Sequence, residues 1–544
     1  MLTYRLFKNA NVHTMDNANP AADAFVVENN KFAFVGTEAD ARKFLGDKKA
    51  EETDLGGKLV APGLNDSHLH FVHFAKSMRS VSLFGVKSLT ELKSRMKEGL
   101  AARKPGDASW LEGEGWNNDY FEDETRFPNK KDLDEISADV PMIAMRTCFH
   151  VAALNSAAMK EIGLSKETAA SFGDMIETDA NGEPNGVIKE KLLDKTKKEI
   201  STLTRETLKE ILIDAQETAL AQGLTSVQSD DFSYVPNSDY KMLFGVFKEL
   251  EDEGKMRIRL AEQCLIQSVP AIEKFHKEGY HAGWGTDKVR VACIKLLSDG
   301  SLGARTAATR KPYADDPATE GLMLFTQEEL NDLVMTSHKK GYPAAIHAIG
   351  DRAIEMALNA IENAQKAIPA PLRHGVVHAQ ITDKTLLERF AKLRALAYVQ
   401  PIFIDYDMNI VTDRVGKETA STSYAWKTMI DLGVPVSFGT DCPVESFNTM
   451  PNIYTAVSRK NVTGDRREFL PEQKVSMHEA IRAYTVEGAY ATNEEDKKGA
   501  ITAGMLADFI VLSRDLFRRG SDEEILETQV LKTYVDGKLE YERK

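Results

Sequence analysis

Short apolar runs alternate with longer helical stretches through most of this chain. Apolar positions recur at intervals of three and four in residues 205–222, 327–340 and 353–367, which predicts helices there. Strands that alternate with helices are typical of a parallel sheet, and eight such units predict a (β/α)8 TIM barrel. The eight predicted strands are residues 59–60, 225–228, 257–261, 289–295, 343–347, 375–378, 395–400 and 434–439.

The two ends of the chain show a different pattern, of short β-type runs separated by turn residues. Neither end is long enough for a core of its own, so we expect both to form one small β-sandwich domain. The predicted domains are the sandwich over 1–60 and 491–544 and the barrel over 61–490. The N-terminal runs, residues 10–15, 24–28 and 32–36, predict an antiparallel sheet, and the C-terminal runs are residues 507–512 and 530–538.

The alternation stops between the first and second predicted strands. This part of the chain contains Trp110, Trp116, Pro128, Pro141 and Pro184 in place of the barrel pattern. TIM barrels accept insertions between their strands. We therefore predict an inserted subdomain over about 76–200.

Composition narrows the class of partner. Hydrophobic residues make up 42% of the 544 residues, and no run approaches the roughly 18 apolar residues of a membrane span. The 83 acidic residues outnumber the 69 basic ones, so the net charge of −14 disfavours nucleic acid and anionic lipid. We expect a small-molecule substrate, no nucleic-acid partner and no membrane association.

The expected environment is the cytoplasm, because the first residues lack the continuous apolar segment of a signal peptide. Dimers are the commonest oligomers, which makes a homodimer the expected assembly. The cysteines lack the spacing of a disulfide framework or a zinc ribbon, and we expect free thiols at Cys148, Cys264, Cys293 and Cys442.

Two histidines, His68 and His70, follow Pro62 and Gly63. On a strand, residues i and i+2 point to the same face, so the two imidazoles could bind one metal ion. The alternative is a chance His-x-His pair on a surface loop.

Further potential ligands close other predicted strands. His347 and His378 end their runs, and Asp441 follows the eighth run. In a barrel these positions share the C-terminal rim, where the active sites of TIM barrels are found. One buried histidine is usually a core residue, but four histidines and an aspartate on one rim favour a hydrolytic metal site.

Lys295 also closes an apolar run. As an ammonium it would need a carboxylate partner such as Asp299. As a neutral amine it could react with carbon dioxide, and the resulting carbamate could bridge two cations. Both states of Lys295 remain open at this point.

Four segments resemble the amidohydrolase superfamily, and specifically amidohydrolase family 3, the YtcJ-like metal-dependent hydrolases. These segments are residues 61–70, 295–307, 347–354 and 373–379. The resemblance implies that one metal ion is bound by His68, His70 and Asp441, and a second by His347 and His378, with carboxylated Lys295 as the bridge. It also implies zinc as the common metal.

The reaction expected from this resemblance is hydrolysis of a C–N bond in a small non-peptide amide, N-acyl compound, formamide or carbamate. A metal-activated hydroxide would attack, and Asp441 would act as general base. Two residues of the predicted insert are candidate substrate contacts: His150, where family members present a histidine, and Trp116. The alternatives are a structural histidine and a buried core tryptophan.

Two other enzyme classes and one non-enzyme class stay open. A lactonase could use the same barrel. A single-metal deaminase would lack a bridging lysine and often has His-x-x-Glu near the fifth strand, whereas Ile349, Gly350 and Asp351 follow His347 here. A non-catalytic scaffold should have lost ligands, and all six are present.

Overall fold

Residues 4–103, 109–146, 151–200, 203–462 and 464–544 are described by the computed structural model. The chain divides into two units. The first contains Met1–Phe71, Gln216–Ser233 and Phe247–Lys544, and the second contains Val72–Ala215 and Tyr234–Val246.

An eight-stranded parallel sheet forms the centre of the first unit, and its strands follow the order of the chain. The backbone N–H of Asp441 donates to the carbonyl oxygen of His68 at 2.8 Å, which joins the end of the last strand to the first. The predicted TIM barrel is confirmed. Its strands are Leu64–Leu69, Leu224–Ser229, Arg259–Leu265, Val289–Leu297, Ala344–Ala348, Gly375–His378, Leu396–Val399 and Val436–Phe438.

The first barrel strand was predicted wrongly at residues 59–60. Leu59–Pro62 instead pairs with Phe509–Leu512 in a sheet of the chain ends. Proline lacks the N–H that a continuing strand needs. At Gly63 the chain passes the Thr225 side chain so closely that a Cβ atom would lie 2.2 Å from its Oγ1. The barrel strand therefore begins only at Leu64.

The predicted helices form with ends shifted by no more than two residues, as Arg205–Ala221, Gln327–Lys339 and Asp351–Ala367. Thr326 and Glu329 form a capping box at the start of Gln327–Lys339. The described residues contain no helix whose length and apolar character would let it cross a membrane. Other α-helices are Glu38–Leu45, Phe71–Ser77, Tyr240–Asp252, Val269–Lys277, Lys384–Leu393, Ile404–Asp407, Val411–Ala420, Trp426–Asp431, Thr449–Ser458, Met477–Ala483, Val486–Ala491 and Glu523–Leu526.

Both ends of the chain share one aromatic core within the first unit. Phe7 stacks on Phe25 at a centroid distance of 5.0 Å, and Phe509 stacks on Tyr534 at 4.3 Å. The chain ends form two sheets. One has six strands: Asn11–His13, Ala21–Ala22, Leu59–Pro62, Phe509–Leu512, Val530–Val535 and Lys538–Glu542. The other has four strands: Tyr4–Lys8, Ala24–Glu28, Lys31–Gly36 and Ala50–Asp54.

The prediction of a purely antiparallel N-terminal sheet was wrong. Tyr4–Lys8 pairs in parallel with Ala50–Asp54, and Asn11–His13 in parallel with Leu59–Pro62. Helix Glu38–Leu45 lies between Lys31–Gly36 and Ala50–Asp54 in the chain. The connection from Tyr4–Lys8 to Ala50–Asp54 contains this helix and four strands, and it is longer than the roughly dozen residues that a parallel pair requires.

The second unit has its own six-stranded sheet and includes the predicted insert 76–200. Its core contains fully buried Ile143, Leu154 and Ile188. The strands are Val81–Ser82, Leu111–Trp116, Met142–Arg146, Val151–Leu154, Ile176–Thr178 and Pro184–Lys189, and helices include Leu89–Ala101, Lys130–Asp134, Ser156–Glu161, Lys166–Ala169 and Glu190–Ile200.

Candidate metal centre

The six residues predicted as metal ligands all lie at the C-terminal ends of barrel strands. Side chains at this end of parallel strands face a common rim. Three of them are almost completely buried: His68 and Lys295 are each 1% exposed and His378 is 3% exposed. The six residues, on the first, fourth, fifth, sixth and eighth strands or just beyond them, are His68, His70, Lys295, His347, His378 and Asp441.

His68, His70 and Asp441 form the tightest group of possible ligands. The Nε2 atom of His70 lies 3.1 Å from Oδ1 of Asp441, and Nε2 of His68 lies 3.5 Å from the same oxygen. Potential ligand atoms of the three residues all lie within 4.8 Å of one another. The His-x-His pair presents both rings to one site.

Two glutamines fix the protonation of two histidine rings. The amide Nε2 of Gln263 donates to the carbonyl of Ser67, so its Oε1 faces Nδ1 of His68 at 2.7 Å. In the same way Gln400 presents Oε1 to Nδ1 of His378 at 2.8 Å. An oxygen acceptor requires a proton on Nδ1, which leaves Nε2 with a lone pair.

His70 is held in the same tautomer by the backbone. Its Nδ1 lies 3.0 Å from the carbonyl oxygen of Asp230, which can only accept. In the neutral ring the lone pair of Nε2 then faces Oδ1 of Asp441, and two acceptors at 3.1 Å repel unless a metal ion or a proton lies between them. The donor set therefore fits a divalent metal, with the polar contacts behind the ligands that metal-binding histidines usually have.

The pKa shifts of His70 and Asp441 agree with a site that binds a divalent metal. Burial raises the pKa of the Asp441 carboxyl, but the contact with His70 and the nearby His378 and His68 lower it below its ordinary value. Burial lowers the pKa of His70, and its contact with Asp441 outweighs this and raises it. Without a metal, a proton on His70 would supply the positive charge that the pair needs.

Lys295 contacts a carboxylate that differs from the partner suggested by the sequence. Its Nζ lies 3.3 Å from Oδ2 of Asp230 and 3.4 Å from Nε2 of His68. Asp299, the suggested partner, accepts the backbone N–H groups of Ala308 and Gly350, each at 2.9 Å. These bonds orient the Asp299 carboxylate toward the fifth-strand turn.

His347 and His378 lie side by side, with ring centroids 4.5 Å apart. Nε2 of His347 lies 3.2 Å from the carbonyl oxygen of Gly300 and 3.3 Å from Oδ1 of Asp299. Burial, followed by the proximity of His347, lowers the pKa of His378 to about 3, so its ring is neutral and able to bind a metal.

Asp66 connects the first and last strands behind the ligands. Its carboxylate accepts the Thr440 hydroxyl at 2.6 Å and the backbone N–H of His68 at 3.2 Å. Burial raises the pKa of Asp66 to about 7 in spite of these bonds. A Cβ on Gly439 would lie 2.6 Å from the His68 nitrogen, so only glycine permits this close approach. The position of Asp441 therefore depends on these contacts between the first strand and the residues that follow the eighth.

Backbone strain also marks the centre. His378 has φ of 77° and Asp441 has φ of 57°, a region that residues other than glycine rarely occupy. Such conformations cost about 1 kcal/mol or more and are retained mainly at functional sites.

The supporting residues were not found from the sequence. Gln263, Gln400, Asp66 and Asp230 are nearly fully buried polar side chains in or beside apolar strands. That conflict between polarity and burial is the signal that could have identified them.

The two predicted substrate contacts have different outcomes. Trp116 is fully buried in the second unit, and its indole N–H donates to the carbonyl oxygen of Ala144 at 2.9 Å. This contact accounts for Trp116 as a core residue, and its contact with substrate stays a prediction. His150 and Cys148 lie outside the described residues. Cys264, Cys293 and Cys442 are buried free thiols, as predicted.

Comparison with known proteins identifies the family. A model described as the amidohydrolase family matches residues 51–541. The chain is 33% identical to the amidohydrolase YtcJ of Bacillus subtilis (strain 168), over 98% of each chain. It is 27% identical to an N-substituted formamide deformylase of Arthrobacter pascens, again over 98% of each chain.

A solved structure gives the same result. The chain superimposes on a metal-dependent hydrolase from Pyrococcus furiosus with a TM-score of 0.78 and 30% identity, covering 95% of this chain and all of the other. The match extends over both units and not over the barrel alone. The chain therefore belongs to the amidohydrolase family and is a metal-dependent hydrolase that acts on carbon–nitrogen bonds.

Proposed function

We propose that this enzyme hydrolyses the C–N bond of a small amide, N-acyl compound, formamide or carbamate at a centre of two zinc ions. His68, His70 and Asp441 hold one ion, and His347 and His378 hold the other. The facing atoms Nε2 of His70 and Oδ1 of Asp441, 3.1 Å apart, support the first metal site of this proposal, because one metal ion bound to both would remove their repulsion. Nitrogen and oxygen donors of this kind suit zinc.

Lys295 is proposed to bridge the two ions as a carbamate. Its amine nitrogen adds to carbon dioxide and gives up a proton, and the product carries two oxygens on a long arm. The position of Nζ, 3.4 Å from Nε2 of His68, supports this role. Carboxylation would replace the present contact between Lys295 and Asp230.

Asp441 is the proposed general base. A divalent ion held by these residues would lower the pKa of a bound water and would polarise the substrate carbonyl. The Asp441 carboxylate is ionised at neutral pH because its pKa lies below the ordinary value. It can therefore accept the proton of the attacking water and donate it to the leaving nitrogen.

A one-ion centre on His68, His70 and Asp441 is the second candidate. The close grouping of His68, His70 and Asp441, whose potential ligand atoms all lie within 4.8 Å of one another, favours it. The metal content of the purified protein separates the two candidates.

The substrate class follows in part from the relatives. One relative is named as an N-substituted formamide deformylase, which supports formamides as substrates here. The cytoplasmic location and the homodimer are further parts of the proposal.

The experiment is a hydrolysis screen of N-acyl amino acids, formamides, carbamates and lactones, with the zinc-loaded protein beside the chelator-stripped protein. We expect metal-dependent release of an amine from one of the C–N substrates. Turnover of lactones alone would contradict the proposal.

A further inference from the structure

Asp230, which follows the second barrel strand, contacts two of the proposed metal ligands. Its carbonyl oxygen lies 3.0 Å from Nδ1 of His70, and Oδ2 of its carboxylate lies 3.3 Å from Nζ of Lys295. The backbone and the side chain of one residue therefore reach two different ligands. A displacement of the Asp230 backbone would change both contacts at once.

The peptide group between Asp230 and Asp231 joins these contacts to the third barrel strand. Its C=O faces His70, and its N–H, which belongs to Asp231, donates to Oε1 of Glu262 at 3.0 Å. A trans peptide group is planar, and its C=O and N–H point in opposite directions. The Glu262 carboxyl therefore determines the direction in which the carbonyl oxygen faces.

This peptide group is the first one beyond the hydrogen-bonded ladder of the sheet. Ser229 ends the second strand and pairs with Leu69 on the first strand and with Glu262 on the third. The N–H of Asp230 still donates to the Leu69 carbonyl oxygen at 3.0 Å. The next N–H, that of Asp231, finds its acceptor in the side chain of Glu262. This side chain thus continues the attachment of the second strand to the third.

Glu262 acts in this contact as a hydrogen-bond acceptor and not as a charge. Its side chain is fully buried. Burial, followed by the carboxylates of Asp231 and Asp230, raises the pKa of Glu262 well above its ordinary value. The neutral carboxyl that burial favours still accepts through its carbonyl oxygen. An apolar side chain would avoid the cost of burying this group, which supports a specific role for the acceptor oxygen.

The residue that follows Glu262 serves the other histidine of the His-x-His pair. Oε1 of Gln263 lies 2.7 Å from Nδ1 of His68. Successive residues of the third strand therefore reach His68 and His70, the first histidine directly and the second through a peptide group.

We propose that Glu262 is a positioning residue of the metal centre. By accepting the Asp231 N–H it holds the Asp230 carbonyl oxygen toward Nδ1 of His70, so that Nε2 of His70 keeps its lone pair for a metal ion. Without this acceptor the peptide group turns over and presents an N–H to Nδ1, which places the ring proton on Nε2. This inference rests on the proposed function, because His70 is a ligand of the proposed first zinc ion.

Two conservative variants separate the acceptor from the charge. Glu262→Gln keeps an oxygen at the same reach without a charge, and Glu262→Asp keeps the carboxyl but is shorter by one methylene group. Glu262→Gln should bind zinc within about three-fold of the wild type, and Glu262→Asp about 10- to 100-fold more weakly. Competition with a chelator measures the affinities, and the melting temperature checks that each variant is folded.

Gln216 provides a matched control at the opposite end of the third strand. Its side chain is fully buried, and its Oε1 accepts the backbone N–H of Arg257 at 2.6 Å, two residues before the strand begins. Gln216→Asn shortens this acceptor by one methylene group in the same way. It should lower the melting temperature and leave the zinc affinity within about three-fold of the wild type.

Crystal structures of the two Glu262 variants show the peptide orientation directly. The Asp230 carbonyl should face His70 in Glu262→Gln and turn away from it in Glu262→Asp. An affinity loss of ten-fold or more in Glu262→Gln would overturn the inference. So would a wild-type affinity and peptide orientation in Glu262→Asp, or an equal loss in Gln216→Asn. A wild-type protein that binds no zinc would contradict the proposed function instead, and metal-free crystals of both variants would still test Glu262.

Discussion

Nε2 of His70 and Oδ1 of Asp441 face each other at 3.1 Å, and the carbonyl of Asp230 holds the His70 proton on the other ring nitrogen. Two acceptors held this close need a positive charge between them. The backbone position of Asp441 is fixed by its own bond to the His68 carbonyl, so the pair cannot separate easily.

The first prediction concerns Asp441→Asn. Asparagine retains an oxygen donor but cannot accept and transfer a proton, so zinc should remain bound while kcat falls by about 100-fold or more. Zinc content by mass spectrometry and amine release measure the two effects. Turnover near the wild-type level would remove Asp441 from the role of general base.

The second prediction concerns Lys295→Ala. If a carbamate bridges two ions, the zinc content should fall from about two per chain to one or fewer. Short carboxylic acids such as acetate should restore part of the second ion and of the activity. An unchanged zinc content in Lys295→Ala would exclude Lys295 as a ligand.

The third prediction concerns Gln400, which orients His378. Gln400→Ala should weaken zinc binding at the second ion by about 10- to 100-fold, because the Nδ1 proton loses its acceptor. Gln400→Glu retains an acceptor oxygen and should recover most of the affinity. Competition with a chelator measures both constants, and equal affinities in the wild type and Gln400→Ala would contradict the role.

The fourth prediction concerns pH and a histidine pair outside the metal centre. Nδ1 of His374 accepts the Ala344 N–H at 3.0 Å, and its Nε2 lies 2.8 Å from Nδ1 of His338, so the His374 ring is held neutral. Burial, followed by His338, lowers the pKa of His374 to about 3. Between about pH 6.5 and about pH 3 the unfolded chain binds a proton on His374 that the folded chain does not.

The contribution of His374 to stability is therefore complete above about pH 6.5 and is lost as the pH falls toward about 3. His374→Asn, which cannot titrate, should show a smaller loss of unfolding free energy over this range than the wild type does. Urea unfolding at several pH values gives the two slopes. Parallel slopes would show that His374 does not titrate on unfolding.

The fifth prediction concerns the attachment of the barrel to the terminal sheets. Arg259 is 3% exposed and pairs with Asp508 at 2.7 Å and with Asp536 at 2.7 Å. Arg259→Met leaves the Asp508 charge buried without its partner and should lower the free energy of unfolding by about 3–5 kcal/mol. The exposed pair Lys248–Asp252 provides the control: Lys248→Ala should cost less than about 0.5 kcal/mol in urea unfolding.

The barrel and the rim residues could be predicted from the sequence because both depend on short periodicities. His68 and His70 share a face because strand residues alternate, and His378 is the last residue of its strand. The sequence misplaced the first strand because the apolar run at Leu59 continues past Pro62, and the change of sheet at Gly63 depends on Thr225, far away in the chain.

The buried polar residues that contact the proposed ligands could not be predicted, for a related reason. Asp230 reaches Lys295 and His70 only because the second strand lies beside the first in the closed sheet. Both Asp230 and Asp299 follow barrel strands, so their local sequences do not show which of the two carboxylates reaches Lys295.

Anomalous diffraction at the zinc edge tests the central claim most directly. The account predicts one zinc bonded to Nε2 of His68, Nε2 of His70 and a carboxylate oxygen of Asp441, and a second bonded to His347 and His378 with Lys295 between them. A crystal grown with zinc that shows no anomalous peak among His68, His70 and Asp441 would contradict it.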